Sequence, residues 1–423
     1  MKYADNIGDF LLAFDPSPLK DENMAKFYID NTMPIRMEDD FKSPLKDLYK
    51  ACCSALGSNA HILMGHRGCG KSTELNVFKK RLEADGRKVS VVQCNDEGDL
   101  QNLVYWDLLI LIGKHLLDIA RELQTDLPQG LLQNMADFWK DIEIVITSSE
   151  DASTTAGAKV GINIFSIFTA MAGGELKYGQ SKRTEIRERV EKNTFQWVNY
   201  LTEVAAEIAK KSGKSPVIIL EDLDKLSPER AWDIFQKPLA QLPFPVVFTF
   251  PIALSYDTRF GSIRAAFNNH IYNLPMIKVR TIKEERHEPG FDILRSIVAK
   301  RANLALFEDG VLDSLIEKTG GSLRDLFYYI TNASNRAGYR QSATVSMEDA
   351  ERVLVSFRSD LTRLITTKDY DFLIEVHREK QDISDTQLLL RMIQGQIVLE
   401  YNGERWHDLH PLVEDFLRER GKL

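Results

Sequence analysis

The chain has 423 residues, of which 43% are hydrophobic and 27% are charged, and its formal net charge is −8. This length predicts two or three domains, and the composition is that of an ordinary globular protein. The negative charge argues against broad nonspecific binding to nucleic acid, although it leaves room for a local basic patch. Four cysteines without metal-ligand spacing, no basic leader and no run of about 18 apolar residues together favour a cytoplasmic protein without a membrane segment.

After an entry segment predicted over residues 1–55, the first chemical motif is HILMGHRGCGKSTEL. A short apolar strand leads into Gly65-x-x-x-x-Gly70-Lys71-Ser72 and then a helical pattern, which is the arrangement of a phosphate-binding P-loop. Its glycines let successive N–H groups point at phosphate oxygens, and the helix start adds its positive dipole end. We expect Lys71 to reach the β- and γ-phosphates and the Ser72 hydroxyl to bind Mg²⁺. The predicted nucleotide-binding residues are Gly65, His66, Arg67, Gly68, Cys69, Gly70, Lys71, Ser72 and Thr73.

The P-loop core is predicted to span residues 56–285. RKVSVVQCN is its second strand candidate, and a long apolar helix follows. The small, polar segment TSSEDASTTAGAKVG interrupts this pattern, so we interpret residues from about 125 to 185 as an insertion. A further helix is predicted from Ile186 to Gly213.

The segment SPVIILEDLDKLSPE carries the second chemical motif. Val217 to Leu220 predict a buried parallel strand, and Glu221, Asp222 and Asp224 follow it. In a Walker B element one such acid binds Mg²⁺ and the next polarises the attacking water. We assign Glu221 to the metal and Asp222 to the water, so that the predicted metal site comprises Ser72, Glu221 and Asp222. The usual order is Asp before Glu, and the shorter Asp222 predicts slow hydrolysis; the alternative is a strand that ends in solvated acids.

Three polar residues in the next segment are weaker candidates. Thr249 ends the strand PFPVVFTFPIAL, where a side chain can lie beside the γ-phosphate, although threonine is also simply common in strands. Arg259 and Arg264 precede the fifth strand candidate, NNHIYNLPMIKV. Either could act on a neighbouring subunit's nucleotide as an arginine finger. The alternative for each is an ordinary surface arginine.

A helical lid is predicted over residues 286–354, because the pattern becomes entirely helical after Pro289. Within it, GGSLRDL puts Arg324 in the first turn of a helix. The planar guanidinium of an arginine there can reach a γ-phosphate across the boundary with the core. The alternative is an exposed helical arginine.

Residues 355–423 are predicted to form a winged helix. Two helical segments precede a hairpin, whose turn is marked by Asn402-Gly403. His407 and His410 have no third metal ligand nearby in the sequence, so we interpret both as structural.

These motifs together resemble the AAA+ superfamily of P-loop ATPases, and more narrowly its origin-recognition-like and STAND-like branch. The resemblance rests on GHRGCGKST, VIILEDLDKL, VVFTFPIAL, GGSLRDL and VLEYNGERWHDLHPLV. It covers roughly residues 25–423 apart from the insertion, and implies a parallel α/β sheet with helices on both faces, a helical lid and a C-terminal winged helix. It also implies ATP and Mg²⁺ as cofactors, with no guanine-specific Asn-Lys-x-Asp motif in the chain. Relatives of this kind act in replication or in defence against phage.

Two functions follow from these observations. One is a slow ATPase that serves as a nucleotide-driven switch or assembly platform for an effector protein. The other is a DNA-binding initiator or loader. Residues 355–423 contain 10 Lys/Arg and 13 Asp/Glu, and the candidate recognition helix SDTQLLLRMIQGQ is mostly apolar. Because a phosphate-contacting module should be more basic, we favour a protein partner, with a homo-oligomer and DNA as open alternatives, and disfavour a small-molecule kinase.

Overall fold

The computed structural model describes residues 1–30, 32–37, 43–54, 60–97, 100–139, 180–237, 239–401 and 405–423. Most of the predicted insertion and the Asn402-Gly403 turn lie outside these ranges. None of the described helices is both long enough and apolar enough to cross a membrane.

The core is a five-stranded parallel sheet. Its strands are β1 (Ala60–Met64), β2 (Val89–Gln93), β3 (Val217–Glu221), β4 (Val246–Thr249) and β5 (Ile271–Asn273). They lie in the order β2-β3-β4-β1-β5, and every neighbouring pair is parallel. Strands β1, β3 and β4 are buried along their whole length, as expected for a sheet covered on both faces. Since all strands run the same way, their carboxyl ends meet at one edge, where the P-loop and Glu221 lie. The predicted parallel α/β sheet is confirmed.

Helices precede and surround this sheet. They are α1 (Phe10–Ala13), α2 (Asp21–Phe27), α3 (Met33–Arg36), α4 (Pro44–Cys53), α5 (Lys71–Ala84), α6 (Cys94–Glu97), α7 (Tyr105–Glu122), α8 (Gln129–Trp139), α9 (Gln180–Lys192), α10 (Thr194–Ser212), α11 (Pro228–Phe235) and α12 (Phe260–Ala266). On one face, Leu116 and Val204 pack with Ile218; on the other, Leu75 packs with Ile219. The single helix predicted from Ile186 to Gly213 is wrong, because the chain leaves helical geometry at Asn193 (φ −128°, ψ 31°) and forms α9 and α10 instead.

The lid that follows contains four helices, which are α13 (Glu288–Ala299), α14 (Val311–Glu317), α15 (Leu323–Tyr339) and α16 (Met347–Leu361). The N-terminal segment packs into it, because the ring of Phe10 stacks 5.3 Å from that of Phe307 and the ring of Phe14 lies 5.6 Å from that of Phe327. The first residues of the chain therefore complete the core of a unit that lies some 300 residues later in sequence.

The C-terminal unit consists of two helices, a hairpin and a last helix. Its elements are α17 (Tyr370–Glu379), α18 (Thr386–Gln394), β6 (Val398–Tyr401), β7 (Trp406–Leu409) and α19 (Pro411–Glu419). Strands β6 and β7 are antiparallel, so the predicted hairpin is present. Leu399, Tyr401 and Trp406 belong to the same apolar cluster as Leu63 and Leu75 of the core. The hairpin is thus packed onto the core that carries the P-loop.

Candidate functional site

The P-loop begins directly after β1 and ends at the first residue of α5. Gly70 has φ +93° and caps α5, a left-handed conformation that glycine adopts without strain. A cavity of about 390 Å³ lies in front of the loop, within the size range of ligand sites. Six of the nine predicted loop residues line it, namely Arg67, Gly68, Gly70, Lys71, Ser72 and Thr73. Gly65, His66 and Cys69 do not line this cavity.

Lys71 is paired with Asp224. Its Nζ lies 2.9 Å from Oδ2 of Asp224 and donates to the backbone oxygens of Gly65 (2.7 Å) and His66 (3.0 Å). Burial alone would lower the pKa of Lys71, but the charge of Asp224 outweighs it and raises that pKa. Burial alone would likewise raise the pKa of Asp224, and Lys71 holds it below its usual range. Both groups are therefore charged, and the carboxylate lies against the ammonium that a phosphate would approach.

Glu221, at the end of β3, has the features of a magnesium ligand. Its Oε2 accepts from Nε2 of Gln93 at 2.5 Å, while its Oε1 is buried and has no partner among the described residues. Burial raises the pKa of this carboxyl, and the hydrogen bond from Gln93 opposes that shift. An unpaired buried carboxylate oxygen beside a P-loop hydroxyl is the oxygen donor set that Mg²⁺ prefers. Glu221 and Ser72 therefore fit the ion.

Asp222 also lines the cavity, but its backbone is unusual. Its φ of +70° is left-handed, a conformation that aspartate tolerates better than most residues. Its carboxylate lies 2.5 Å from Nζ of Lys225 and accepts a long bond (3.4 Å) from the backbone N–H of Asn95. Asp222, the acid predicted to polarise water, is thus paired with Lys225, whereas Asp224 is paired with Lys71.

The lid reaches the P-loop through the start of α15. The backbone N–H of Leu323 donates to the carbonyl oxygen of Gly68 at 3.0 Å, and Arg324 lines the same cavity as Lys71. Gly68 has φ +86°, and a Cβ on it would lie 2.5 Å from Oγ of Ser322. Only glycine allows this approach of core and lid. The structure therefore brings Arg324 to the cavity lined by the P-loop, and its contact with a γ-phosphate stays a prediction.

The N-terminal segment forms the wall of the cavity opposite the core. Leu19 donates its N–H to Oγ1 of Thr73 (3.2 Å), and Tyr28 donates its hydroxyl to Oε2 of Glu74 (3.1 Å). The apolar wall residues are Pro16, Pro18, Leu19, Phe27, Ile29, Ile297, Leu323 and Phe327. An apolar chamber beside a phosphate loop suits a nucleobase.

The C-terminal hairpin supports the P-loop from behind. The ring of His66 accepts from the backbone N–H of Glu400 at 2.7 Å, and Gln396 donates to the carbonyl oxygen of Arg67 at 2.9 Å. Burial, Lys71 and His407 lower the pKa of His66 to about 3, so its ring is neutral and Nε2 can accept. The carboxylate of Glu400 accepts in turn from Tyr256 (2.5 Å). The loop is therefore bonded to a strand more than 300 residues away.

The structure does not bring the remaining candidates to the cavity. Thr249 is buried under the turn after β3, donating to the carbonyl oxygen of Leu220 (3.3 Å) and accepting from the N–H of Leu223 (3.0 Å). Arg259 pairs with Asp257 (2.7 Å) and covers the ring of Trp232. Arg264 donates to the side chain of Asn269 at 2.8 Å. Neither arginine lines the cavity, and a role on a neighbouring subunit's nucleotide stays a prediction.

One group of side chains elsewhere has the geometry of metal ligands, namely Glu284, His377 and Glu414. Cations already neutralise it, because Nζ of Lys380 lies 3.1 Å from Glu284 and Nη1 of Arg280 lies 2.6 Å from Glu414. A divalent ion would have to displace them, so this group is an ion-pair network between residues 280–284, which precede the lid, and the C-terminal unit.

His407 and His410 make structural bonds. The ring of His407 lies 2.6 Å from the Tyr256 hydroxyl and 3.1 Å from the carbonyl oxygen of Lys380, and His410 caps α19 by accepting from the N–H of Leu412 (3.2 Å). These contacts agree with the interpretation of both histidines as structural.

The strand order, the P-loop after β1 and the acids after β3 define an AAA+-type P-loop fold, which is followed by a helical lid and a C-terminal unit. No protein-family model matches the chain, and no curated protein matches it in sequence.

Similar solved structures share little sequence with this chain. The Cdc6p protein of Pyrobaculum aerophilum is 12% identical with a TM-score of 0.44, covering 97% of this chain and 98% of that one. A Walker-type ATPase of Pyrococcus abyssi is 12% identical with a TM-score of 0.44, covering 96% and 99%. An origin-recognition protein of Aeropyrum pernix in complex with DNA is 12% identical with a TM-score of 0.40, covering 89% and 92%.

Proposed function

We propose that this protein binds ATP with Mg²⁺, hydrolyses it slowly and uses the bound nucleotide as a conformational switch. The observation that carries this proposal is that the core, lid and N-terminal segment all line one cavity around Lys71. A triphosphate there would contact Lys71 and Arg324 together, whereas a diphosphate would lose the contact made by the γ-phosphate. Such a difference in contacts between two ligands is what a switch requires.

Slow turnover is supported by the geometry of the acids. Nζ of Lys225 pairs with Oδ1 of Asp222, so Lys225 competes with an attacking water for this carboxylate. We propose Glu221 and Ser72 as the residues that hold Mg²⁺, which would neutralise phosphate charge. The expected basal turnover lies below the median of about 10 s⁻¹ for enzymes.

The partner that we propose is an effector protein. The C-terminal unit is acidic, and α18 buries Leu389, Met392 and Ile393. Arg391 on the same helix is paired with Asp369. No contact described above favours replication over defence against phage.

The proposed function is tested by measuring how tightly the Lys71→Ala variant binds ATP. The substitution removes the cation that meets the phosphates, and we expect ATP affinity to fall at least tenfold while the fold persists, since one charged hydrogen bond contributes about 1.5–3 kcal/mol. Lys79→Ala is the matched control, because Lys79 lies on the same helix with a 36% exposed side chain. Titration with labelled ATP and thermal melting are the measurements. Equal ATP affinity of Lys71→Ala and the parent would contradict the assignment.

The alternative function, a DNA-binding initiator or loader, is tested with the full chain. Affinity for duplex DNA that depends on phosphate contacts falls steeply with salt. We expect weak binding even at low salt. Submicromolar affinity for duplex DNA near physiological salt, with a steep salt dependence, would instead support the function of a DNA-binding initiator or loader.

A further inference from the structure

Arg301 is a buried cation at the apolar end of the nucleotide cavity. It follows α13, is 4% exposed and lines the cavity together with Phe27 and Phe327. Its guanidinium carbon lies 4.9 Å from the ring centroid of Phe327 and 5.8 Å from that of Phe27. The cation is therefore held between two aromatic rings that belong to different parts of the chain.

Among the described residues, no carboxylate pairs with this guanidinium. Nη1 donates to the carbonyl oxygens of Phe27 (3.3 Å) and Ile297 (3.0 Å), and Nε is enclosed without a partner in the described part of the chain. Burial lowers the pKa of Arg301 to about 10, and no carboxylate opposes that effect. The side chain remains a cation at neutral pH. A buried charge without a partner is costly, and such a charge is retained where a ligand completes its bonding.

Arg301 contacts α15 one turn beyond the residue that bonds the P-loop. Leu323 donates its N–H to Gly68 of the loop, and Phe327 follows one helical turn later, about 5.4 Å along α15. The guanidinium carbon of Arg301 lies 4.9 Å from the centroid of the Phe327 ring. A nucleotide whose phosphates occupy the loop would place its base, rather than its phosphates, at this end of the cavity.

We infer that Arg301 is a binding residue for the base, donating from Nη2 to a ring nitrogen of the purine. This rests on the proposed function. Nη1 is already bonded and Nε is enclosed, so Nη2 is the donor left to meet a ligand. A guanidinium has no acceptor, so the edge it recognises must present one, and the ring nitrogens of a purine are acceptors. Phe27 and Ile29 supply the apolar walls for the ring.

The test combines substitutions with ATP analogues that lack one ring nitrogen each (1-deaza-, 3-deaza- and 7-deaza-ATP). Arg301→Met keeps an unbranched side chain without donors, Arg301→Lys keeps the charge, and Lys300→Met removes a neighbouring exposed cation as control. We expect ATP affinity to fall about tenfold or more in Arg301→Met, the loss for one charged hydrogen bond, and to be unchanged in Lys300→Met. One deaza analogue should bind the parent more weakly by a similar factor, with no additional loss in Arg301→Met.

Either of two results would overturn the inference. One is that the parent binds all three analogues as tightly as ATP. The other is that the loss with an analogue persists undiminished in Arg301→Met. The analogue series on the parent decides the matter even if Arg301→Met does not fold. Failure of the proposed function is distinct, because the parent would then bind no nucleotide or would bind it as Lys71→Ala does.

Discussion

The ion pair between Lys71 and Asp224 predicts a substitution whose cost depends on the nucleotide. Asp224→Asn keeps the size of the side chain but leaves the Lys71 ammonium without a counter-charge. The two side chains are only 6% and 12% exposed. Because removing one partner of a buried pair costs about 3–5 kcal/mol, we expect the nucleotide-free variant to lose about 3 kcal/mol of unfolding free energy.

ATP should restore part of this loss, since its phosphates return negative charge to Lys71. By linkage, whatever stability ATP restores appears as tighter binding. Recovery of about 1.4 kcal/mol corresponds to a tenfold gain in affinity. Denaturant unfolding with and without saturating Mg-ATP, together with an ATP titration, measures both quantities.

Asp222→Asn is the matched control for this prediction. Its partner, Lys225, has a 43% exposed side chain, so losing that pair should cost less than about 1 kcal/mol. If Asp224→Asn were equally destabilised with and without ATP, or bound ATP more weakly than the parent, the phosphates of ATP would not replace the Asp224 carboxylate as the counter-charge of Lys71.

Three further outcomes are expected. Gly68→Ala should weaken ATP binding and lower the melting temperature, because its Cβ would lie 2.5 Å from Oγ of Ser322; normal affinity would show that the lid can yield there. If Arg259 or Arg264 acts on a neighbouring subunit, ATPase rate per subunit should rise with protein concentration and fall when that arginine becomes Ala; a flat rate over a hundredfold dilution would exclude it. Hydrogen bonds from Arg295 help lower the pKa of Asp313 to about 2, so its contribution to stability is present above its ordinary value of about 3.9 and is lost as pH falls towards 2. Urea unfolding across that range should therefore be less pH-dependent in Asp313→Asn.

The parts of the site that could be predicted from sequence are local. The P-loop lies within a single continuous segment, and Glu221 directly follows a short apolar run that predicts a buried strand. Arg324 follows two glycines at a helix start. In each case the signal lies within one short segment, so local spacing indicates the chemistry.

The other features of the site could not be predicted, because they depend on contacts between residues that are far apart in the sequence. The sequence around Arg301 does not distinguish it from an exposed helical arginine, because its burial depends on the N-terminal segment folding against the lid. Asp224 was one of three acids, and its contact with Lys71 depends on the left-handed turn at Asp222. Thr249 ends the expected strand, but its hydroxyl turns to the backbone beside it rather than to the cavity. Such outcomes depend on tertiary packing, which periodicity does not encode.

The hairpin bonded to His66 also bears on how such chains can be recombined. Leu399, Tyr401 and Trp406 fill the same apolar cluster as Leu63 and Cys69, so the last 70 residues are not an interchangeable module. A chimaera that received this segment from another protein would need a matching first strand and P-loop. A chain cut near residue 354 would lose the contacts that the hairpin makes with the phosphate loop. A loss of ATP binding in such a chain would therefore indicate damage to that loop rather than the absence of a partner.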